Sequence, residues 1–388
     1  MIKNEAVSKN KIINGEPQED IFYKLANNES DVLAINNVMR RYPARITGYL
    51  KKLIEKSPAL QKEYLPSPQE ETTHGTPTPF EEGKDTSKTY GLEQVYRDRV
   101  LITPHFDCPA YCRFCYKKSR VMRGKPEMTM EEIDQVIKEV GQKKEVRGAL
   151  ITGGDPMMNL NKLFYLLDGI SKLENIFEIR VGTRSLLTKP ETYTDDVCNR
   201  LASYIKPNIN NPAESKYLAM NVHFNHPDEL APEVLEAAHK LTSRGITLRN
   251  QSVFLKGIND SVDTIKVLFK LLLKNNIIPY YFNHCMPVES SDHLRPSVQK
   301  GLDIYRHLCT ESSTIIPHYV YAPSGGKVHV GPDTKLEYIT KNGQRYIKVK
   351  MLYGADEFKK ITKHQLPMMH RETEDGFIEA LYLDGNDE

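Results

Sequence analysis

The chain of 388 residues has no apolar run of the roughly 18 residues that a membrane span needs, so no segment is expected to cross a bilayer. It has almost no net charge either: 53 Lys and Arg against 51 Asp and Glu leave +2. That balance gives no general attraction to nucleic acid or to an anionic membrane. The opening residues, MIKNEAVSKNKIINGEPQED, lack the apolar segment of a secretory signal, and a reducing cytoplasmic setting is expected. Cysteine is scarce, six in all, too few in so long a chain for a disulfide framework. There is no internal repeat and no low-complexity tract. The length allows one large α/β domain with small extensions.

The few cysteines are concentrated. Cys108, Cys112 and Cys115 fall in the stretch FDCPAYCRFCYKKSR, Phe106 to Arg120, directly after an apolar run that reads as a buried strand. A cysteine triplet on the loop leaving a strand is an iron–sulfur signature, and three thiolates on a four-iron cluster leave one iron with an open position. An open position on a metal serves chemistry rather than folding. A structural zinc site is the alternative; His105 is near enough to propose as a fourth ligand, but the chain has no second CxxC pair.

From Arg99 onward, strands alternate with helices. Strands are expected at Arg99–Thr103, Gly148–Thr152, Ile176–Gly182, Leu218–Phe224, Thr247–Leu255, Ile277–His284 and Thr314–Ala322. Helices are expected at Met130–Val140, Leu160–Leu173, Asp195–Ile205, Pro232–Ser243, Val262–Lys274 and Val298–Cys309. This alternation implies a parallel sheet wound by right-handed crossovers, a partial or closed (β/α) barrel with its chemistry at the C-terminal strand ends. Residues 1–95 are expected to form an N-terminal helical extension and irregular arm, 96–330 the barrel, and 331–388 a C-terminal extension. The extension has a helical pattern over Leu33–Lys56 broken at Pro43, and a Pro-, Glu- and Gly-rich arm over Pro66–Lys88. Leu336–Met351 alternates as a hairpin turning at Asn342-Gly343.

Several strand ends carry polar motifs. Thr152-Gly153-Gly154-Asp155-Pro156 pairs a backbone that can approach a ligand closely with a carboxylate suited to an amino group. His223 ends the fourth strand and Gln251 lies within the fifth, each as apt to hold local backbone as to meet a ligand. Lys327 follows the turn Pro323-Ser324-Gly325-Gly326; a lysine desolvated at a barrel mouth has a lowered pKa and can form an imine with a carbonyl cofactor.

CxxxCxxC, Gly153-Gly154-Asp155 and the Gly-turn lysine together resemble the radical S-adenosylmethionine (radical SAM) enzymes, and among them the lysine 2,3-aminomutase family, over roughly Arg40 to Val330. The resemblance implies a [4Fe-4S] cluster on Cys108, Cys112 and Cys115, the amino group of SAM at Gly153-Gly154-Asp155, and cofactor contacts from His223 and Gln251. It also implies pyridoxal 5′-phosphate (PLP) on Lys327, with Arg99 at its phosphate, as a planar guanidinium fork would suit. The implied reaction converts an α-amino acid to a β-amino acid. The implied partners are a small amino acid substrate, a flavodoxin- or ferredoxin-type electron donor and a second copy of the chain in a homo-oligomer. Other radical SAM/PLP outcomes (epimerisation, deamination, side-chain cleavage) and a non-enzymatic iron–sulfur sensor are the competing readings.

The chain departs from that family where substrate is bound. Two family aspartates that hold a distal ammonium are replaced in the regions of Met286 and Tyr321, which points to a substrate other than lysine. Glu289 or Asp292 is the nearest replacement acid. Lys117 stands where the family has an arginine for the substrate carboxylate, with Lys118 beside it; neither can make a bidentate fork. No cysteine follows Cys309, so the intersubunit zinc of the family's long form is not expected.

Overall fold

A computed structural model of the chain describes residues 12–13, 16–17, 20–72, 74–76, 89–121, 127–311, 316–322, 327–362 and 370–387. Three helices lead into the main sheet: α1 (Glu29–Arg41), α2 (Gly48–Ile54) and α3 (Pro58–Tyr64). Each begins on a side-chain cap, with Asn28, Thr47 and Ser57 accepting from the third residue on. Pro43 lies between α1 and α2, as the sequence pattern requires. In the following arm Pro68–Glu71 forms a single 3-10 turn, while 77–88 lie outside the described residues.

Nine strands form one sheet: β1 (Leu92–Tyr96), β2 (Arg99–Ile102), β3 (Gly148–Ile151), β4 (Glu178–Gly182), β5 (Tyr217–Val222), β6 (Thr247–Phe254), β7 (Ile277–His284), β8 (His318–Tyr321) and β9 (Val328–His329). They lie side by side in chain order. The run from β2 to β8 is parallel throughout, and β1 and β9 pair antiparallel at its two edges. Among the described residues no ladder joins β1 to β9. The crossovers are α4 (Met130–Gln142), α5 (Leu160–Ile170), α6 (Asp195–Ala202), α7 (Pro232–Thr242), α8 (Val262–Lys274) and α9 (Val298–Glu311). The α/β alternation read from the sequence is therefore present strand for strand.

Burial alternates along β6: Leu248, Asn250, Ser252 and Phe254 are buried, while Arg249, Gln251 and Val253 are only partly so. The first set joins the layer under the helices, and the second lines the concave side of the sheet. The same alternation puts Arg99 on the concave side of β2, Arg180 on that of β4 and Tyr281 on that of β7.

Beyond the barrel, β10 (Tyr338–Lys341), β11 (Gln344–Gly354), β12 (His370–Glu372) and β13 (Phe377–Leu383) form a second sheet, ordered β10-β11-β13-β12. Asn342 and Gly343 turn its first hairpin with φ of 52° and 74°, the left-handed pair that a two-residue hairpin demands. The tail after β13 is pinned to the start of α9, where Val298 N donates to Asp384 Oδ1 and Ser297 N to Asp387 Oδ1, both at 2.8 Å. Among the described residues no helix is long and apolar enough to cross a membrane.

Candidate active site

The cysteine loop leaves the C-terminal end of β2 and is held from two sides. On one side is the turn after β3: Gly154 N donates to His105 O at 2.9 Å and Asp155 N to Asp107 O at 2.8 Å. The backbones are so close that a Cβ on Gly153 would sit 2.3 Å from His105 O, and one on Gly154 would sit 2.1 Å from Asp107 O. Gly153 also has φ +131°. The paired glycines are thus demanded by the cysteine loop itself. On the other side is the N-terminal extension. Arg113 N donates to Glu63 O at 2.7 Å and Tyr111 N to Arg45 O at 2.9 Å, and Arg45 Nη1 reaches Cys108 O at 2.9 Å. Arg113 carries a bidentate ion pair to Glu70, both side chains fully buried.

Cys108, Cys112 and Cys115 are free thiols. Burial raises all three thiols, with Asp155 and the neighbouring cysteines adding to the rise at Cys108, Cys112 adding to it at Cys115 (to about 11), and Arg184 partly opposing it at Cys112, so the loop as built would need bound cationic charge to ionise all three. Among the described residues no three His, Cys, Asp or Glu side chains are arranged around a single metal ion. A four-iron cluster, a larger body, takes one thiolate per iron, and the donor set fits it.

Asp155 is buried, and burial raises its pKa. Its carboxylate accepts from Thr183 Oγ1 (2.8 and 2.9 Å), Arg184 N (2.9 Å) and Met157 N (3.1 Å). The observed work of Asp155 is to tie the turn after β3 to the loop after β4. Arg184, which the sequence pattern did not mark, joins this junction to the cysteines: its Nη1 donates to Cys112 Sγ at 2.9 Å.

Lys327 lies deeper, between β8 and β9; the turn Pro323–Gly326 before it lies outside the described residues. Its Nζ sits 3.5 Å from the centroid of the Tyr281 ring, and its backbone N donates to Tyr96 Oη at 3.1 Å. Burial, with Arg99 and Arg180 nearby, lowers the amine to about 7. Arg99 rests on the Tyr96 ring at 4.3 Å. Arg180 is ion-paired to Glu178, yet its Nε is buried with no hydrogen-bond partner among the described residues. A half-neutral amine flanked by two guanidinium groups fits a cofactor that brings both a carbonyl and a phosphate. Arg180, like Arg184, was not marked in the sequence.

The remaining expected residues divide. His223 is held by Asn225 Oδ1 at 3.0 Å and faces the Phe114 ring at 5.4 Å, beside the cysteine loop; burial keeps it neutral. Gln251 sits on the concave side in register with Tyr281. Lys117 is buried at the end of the cysteine loop, its Nζ 5.4 Å from the Tyr116 ring. Lys118 is committed to the fold, donating to Arg113 O at 3.0 Å and Ser290 O at 2.8 Å. Met286 is partly buried just past β7.

Asp292 is engaged by Arg295 and His74, and Glu289 by Arg41 and by Tyr42 Oη at 2.9 Å. Tyr321 corrects the expectation of a substrate contact. Its ring shares the helix-facing side of β8 with Tyr319, at 5.6 Å, and stacks on Tyr382 at 5.6 Å. Alternation puts Val320, not Tyr321, on the concave side.

A helix-wound parallel sheet with a cysteine triplet at the end of its first parallel strand is the arrangement of a radical SAM protein, and the model of the Radical SAM superfamily matches residues 102–268. Within that superfamily the chain belongs to the lysine 2,3-aminomutase family, whose members are isomerases and which implies a [4Fe-4S] cluster and SAM. It is 31% identical over 323 residues to the L-lysine 2,3-aminomutase of Methanococcus maripaludis, covering 80% of this chain and 72% of that one. It is 31% identical over 287 residues to the glutamate 2,3-aminomutase of Clostridioides difficile, covering 71% and 64%. A relative in Aquifex aeolicus is 35% identical over 246 residues, covering 63% and 64%. The chain thus spans slightly under two thirds of the length of two of these relatives.

Proposed function

We propose that the chain is a radical SAM, PLP-dependent amino acid 2,3-aminomutase that moves the amino group of an α-amino acid other than lysine to its β-carbon. The observation that carries this is Lys327: a partly buried lysine whose amine is lowered to about 7 by desolvation and by the charges of Arg99 and Arg180, on the inner side of the sheet that carries the cysteine loop. When bound, the cluster and SAM supply the one-electron chemistry that removes a β-hydrogen, and PLP supplies a carbonyl and a conjugated ring that nitrogen migration requires.

The chain's own residues do the holding. Cys108, Cys112 and Cys115 would ligate three irons and leave the fourth open. Gly153 and Gly154 let the turn after β3 lie directly against the cysteine loop, and its backbone would meet the amino group of SAM there. His223 and Gln251 would line the SAM side of the lumen. Lys327 offers an amine that is substantially unprotonated at neutral pH, the state required for attack on a carbonyl. Arg99 and Arg180 would take the phosphate, and the buried Nε of Arg180 is a donor that a phosphate oxygen would satisfy. Lys117 would meet the substrate carboxylate as a point charge.

A substrate other than lysine is supported by the acids near the barrel mouth. Glu289 and Asp292 are both engaged by basic side chains. A second ammonium group brought there would compete with partners already in place. The test is anaerobic incubation with SAM, PLP and dithionite against a panel of α-amino acids, with mass spectrometry of the products. An isobaric β-amino acid from a substrate other than lysine is the expected result. Turnover of lysine alone, or deaminated or cleaved products, would overturn the reading.

A further inference from the structure

Arg184 follows β4, and its side chain is only 10% exposed. Each part of it has a different partner. Nη1 donates to Cys112 Sγ at 2.9 Å. Nη2 meets the buried carboxylates of Glu63, on α3, and Glu229, at 3.2 Å, in the loop after β5. Nε faces His223 O at 3.4 Å, and the backbone N donates to Asp155 Oδ2 at 2.9 Å. The rings of Tyr64 and Phe114 lie 4.9 and 5.1 Å from its Cζ. A buried arginine present only to neutralise carboxylates would turn its fork to Glu63 and Glu229. Here one arm of the fork is turned away from them to a sulfur.

We propose that Arg184 is a positioning residue that raises the reduction potential of the cluster on Cys108, Cys112 and Cys115, by fixing a cation and one N–H donor against the Cys112 sulfur. This rests on the reading of those cysteines as cluster ligands. Reduction adds one electron, supplied by an external one-electron donor, and so adds negative charge to the cluster. A hydrogen bond to a ligand sulfur and a nearby cation both favour the more negative state. Glu63 and Glu229 keep the guanidinium from being an uncompensated buried charge and hold it in one orientation. No bond to Arg184 forms or breaks.

The test is potentiometric titration with dithionite, followed by electron paramagnetic resonance, on anaerobically reconstituted wild-type, Arg184→Gln and Arg184→Lys proteins. Iron content is measured alongside. The midpoint of Arg184→Gln should fall below wild type. Arg184→Lys, which keeps the charge but loses the fork, should lie between them. Equal midpoints in all three would overturn the role of Arg184 while leaving the cysteine reading intact. If Arg184→Gln takes up no iron, the Lys variant decides: a lowered midpoint supports the proposal and an unchanged one sinks it. A wild-type protein that shows no four-iron signal would refute the cysteine reading, and the inference with it.

Discussion

Glu70 and Arg113 form a two-pronged ion pair in which neither side chain is exposed, Nη2 to Oε2 being 2.7 Å and Nε to Oε1 2.9 Å. One partner sits in the N-terminal arm, the other in the residue after Cys112, so the arm closes the back of the cysteine loop. Burial by itself would raise the Glu70 pKa; Arg113 and Lys118 more than offset it and hold the carboxyl below its ordinary value. Its stabilising contribution is therefore complete above the ordinary carboxylate range and is lost as pH falls through the depressed folded value. Glu70→Ala leaves Arg113 buried without its carboxylate, which costs about 3–5 kcal/mol. Denaturant unfolding should show that loss, and iron uptake should fall with it. A variant of wild-type stability would contradict the clamp.

Gly154→Ala should be far more damaging than Gly245→Ala. A Cβ on Gly154 meets backbone, Asp107 O at 2.1 Å, whereas one on Gly245 meets nothing within 4 Å. Gly245 has φ +79°, so its substitution costs about 1–2 kcal/mol of backbone strain without a steric clash. Gly154→Ala can fit only by moving the cysteine loop. The iron-to-protein ratio after reconstitution checks this: it should drop for Gly154→Ala and hold for Gly245→Ala.

Lys327 makes stability depend on pH. In the unfolded chain its amine keeps a proton up to the ordinary lysine value of 10.5; in the folded protein it releases it near 7. Between those values unfolding takes up a proton, so stability rises with pH across that window, and the full penalty applies below it. Lys327→Met should therefore stabilise the PLP-free protein most on the acid side of about pH 7, with the advantage narrowing toward the ordinary lysine range. Paired thermal melts across that range measure it. A gap that does not narrow would mean the amine is not desolvated.

Tyr321 should matter for folding and not for substrate. Its ring is 2% exposed, and truncation to Ala should cost about 3 kcal/mol or more. Tyr321→Phe should keep wild-type KM for whichever amino acid is turned over; a raised KM would return Tyr321 to the site.

Much of this was legible in the sequence because it is local. Thr129 and Glu132 form a capping box that starts α4, and Asn342-Gly343 turns a hairpin by its own φ angles. The cysteine spacing and Gly153-Gly154-Asp155 likewise mark themselves, each being contiguous. What sequence reading missed depends on pairs far apart in the chain. Arg184 reaches Cys112 across 72 positions, and Arg113 reaches Glu70 across 43. No periodicity reports which arginine faces a sulfur. The signal that was available is position: Arg184 follows a strand end, where barrel chemistry gathers, and Arg180 shares the alternating face of β4 that turns inward. Tyr321 packs on the helix-facing side of β8 against Tyr319 and Tyr382, and which face of a short buried strand a residue takes is not marked by its sequence neighbours.

The account stands most directly on Lys327. Anaerobically reconstituted protein would be incubated with PLP, reduced with borohydride, digested and mapped by mass spectrometry. The account predicts a phosphopyridoxyl group on Lys327, lost in Lys327→Ala, which still binds iron. An unmodified Lys327 in a protein that retains its cluster and cleaves SAM would contradict the aminomutase reading and leave a radical SAM enzyme of other chemistry.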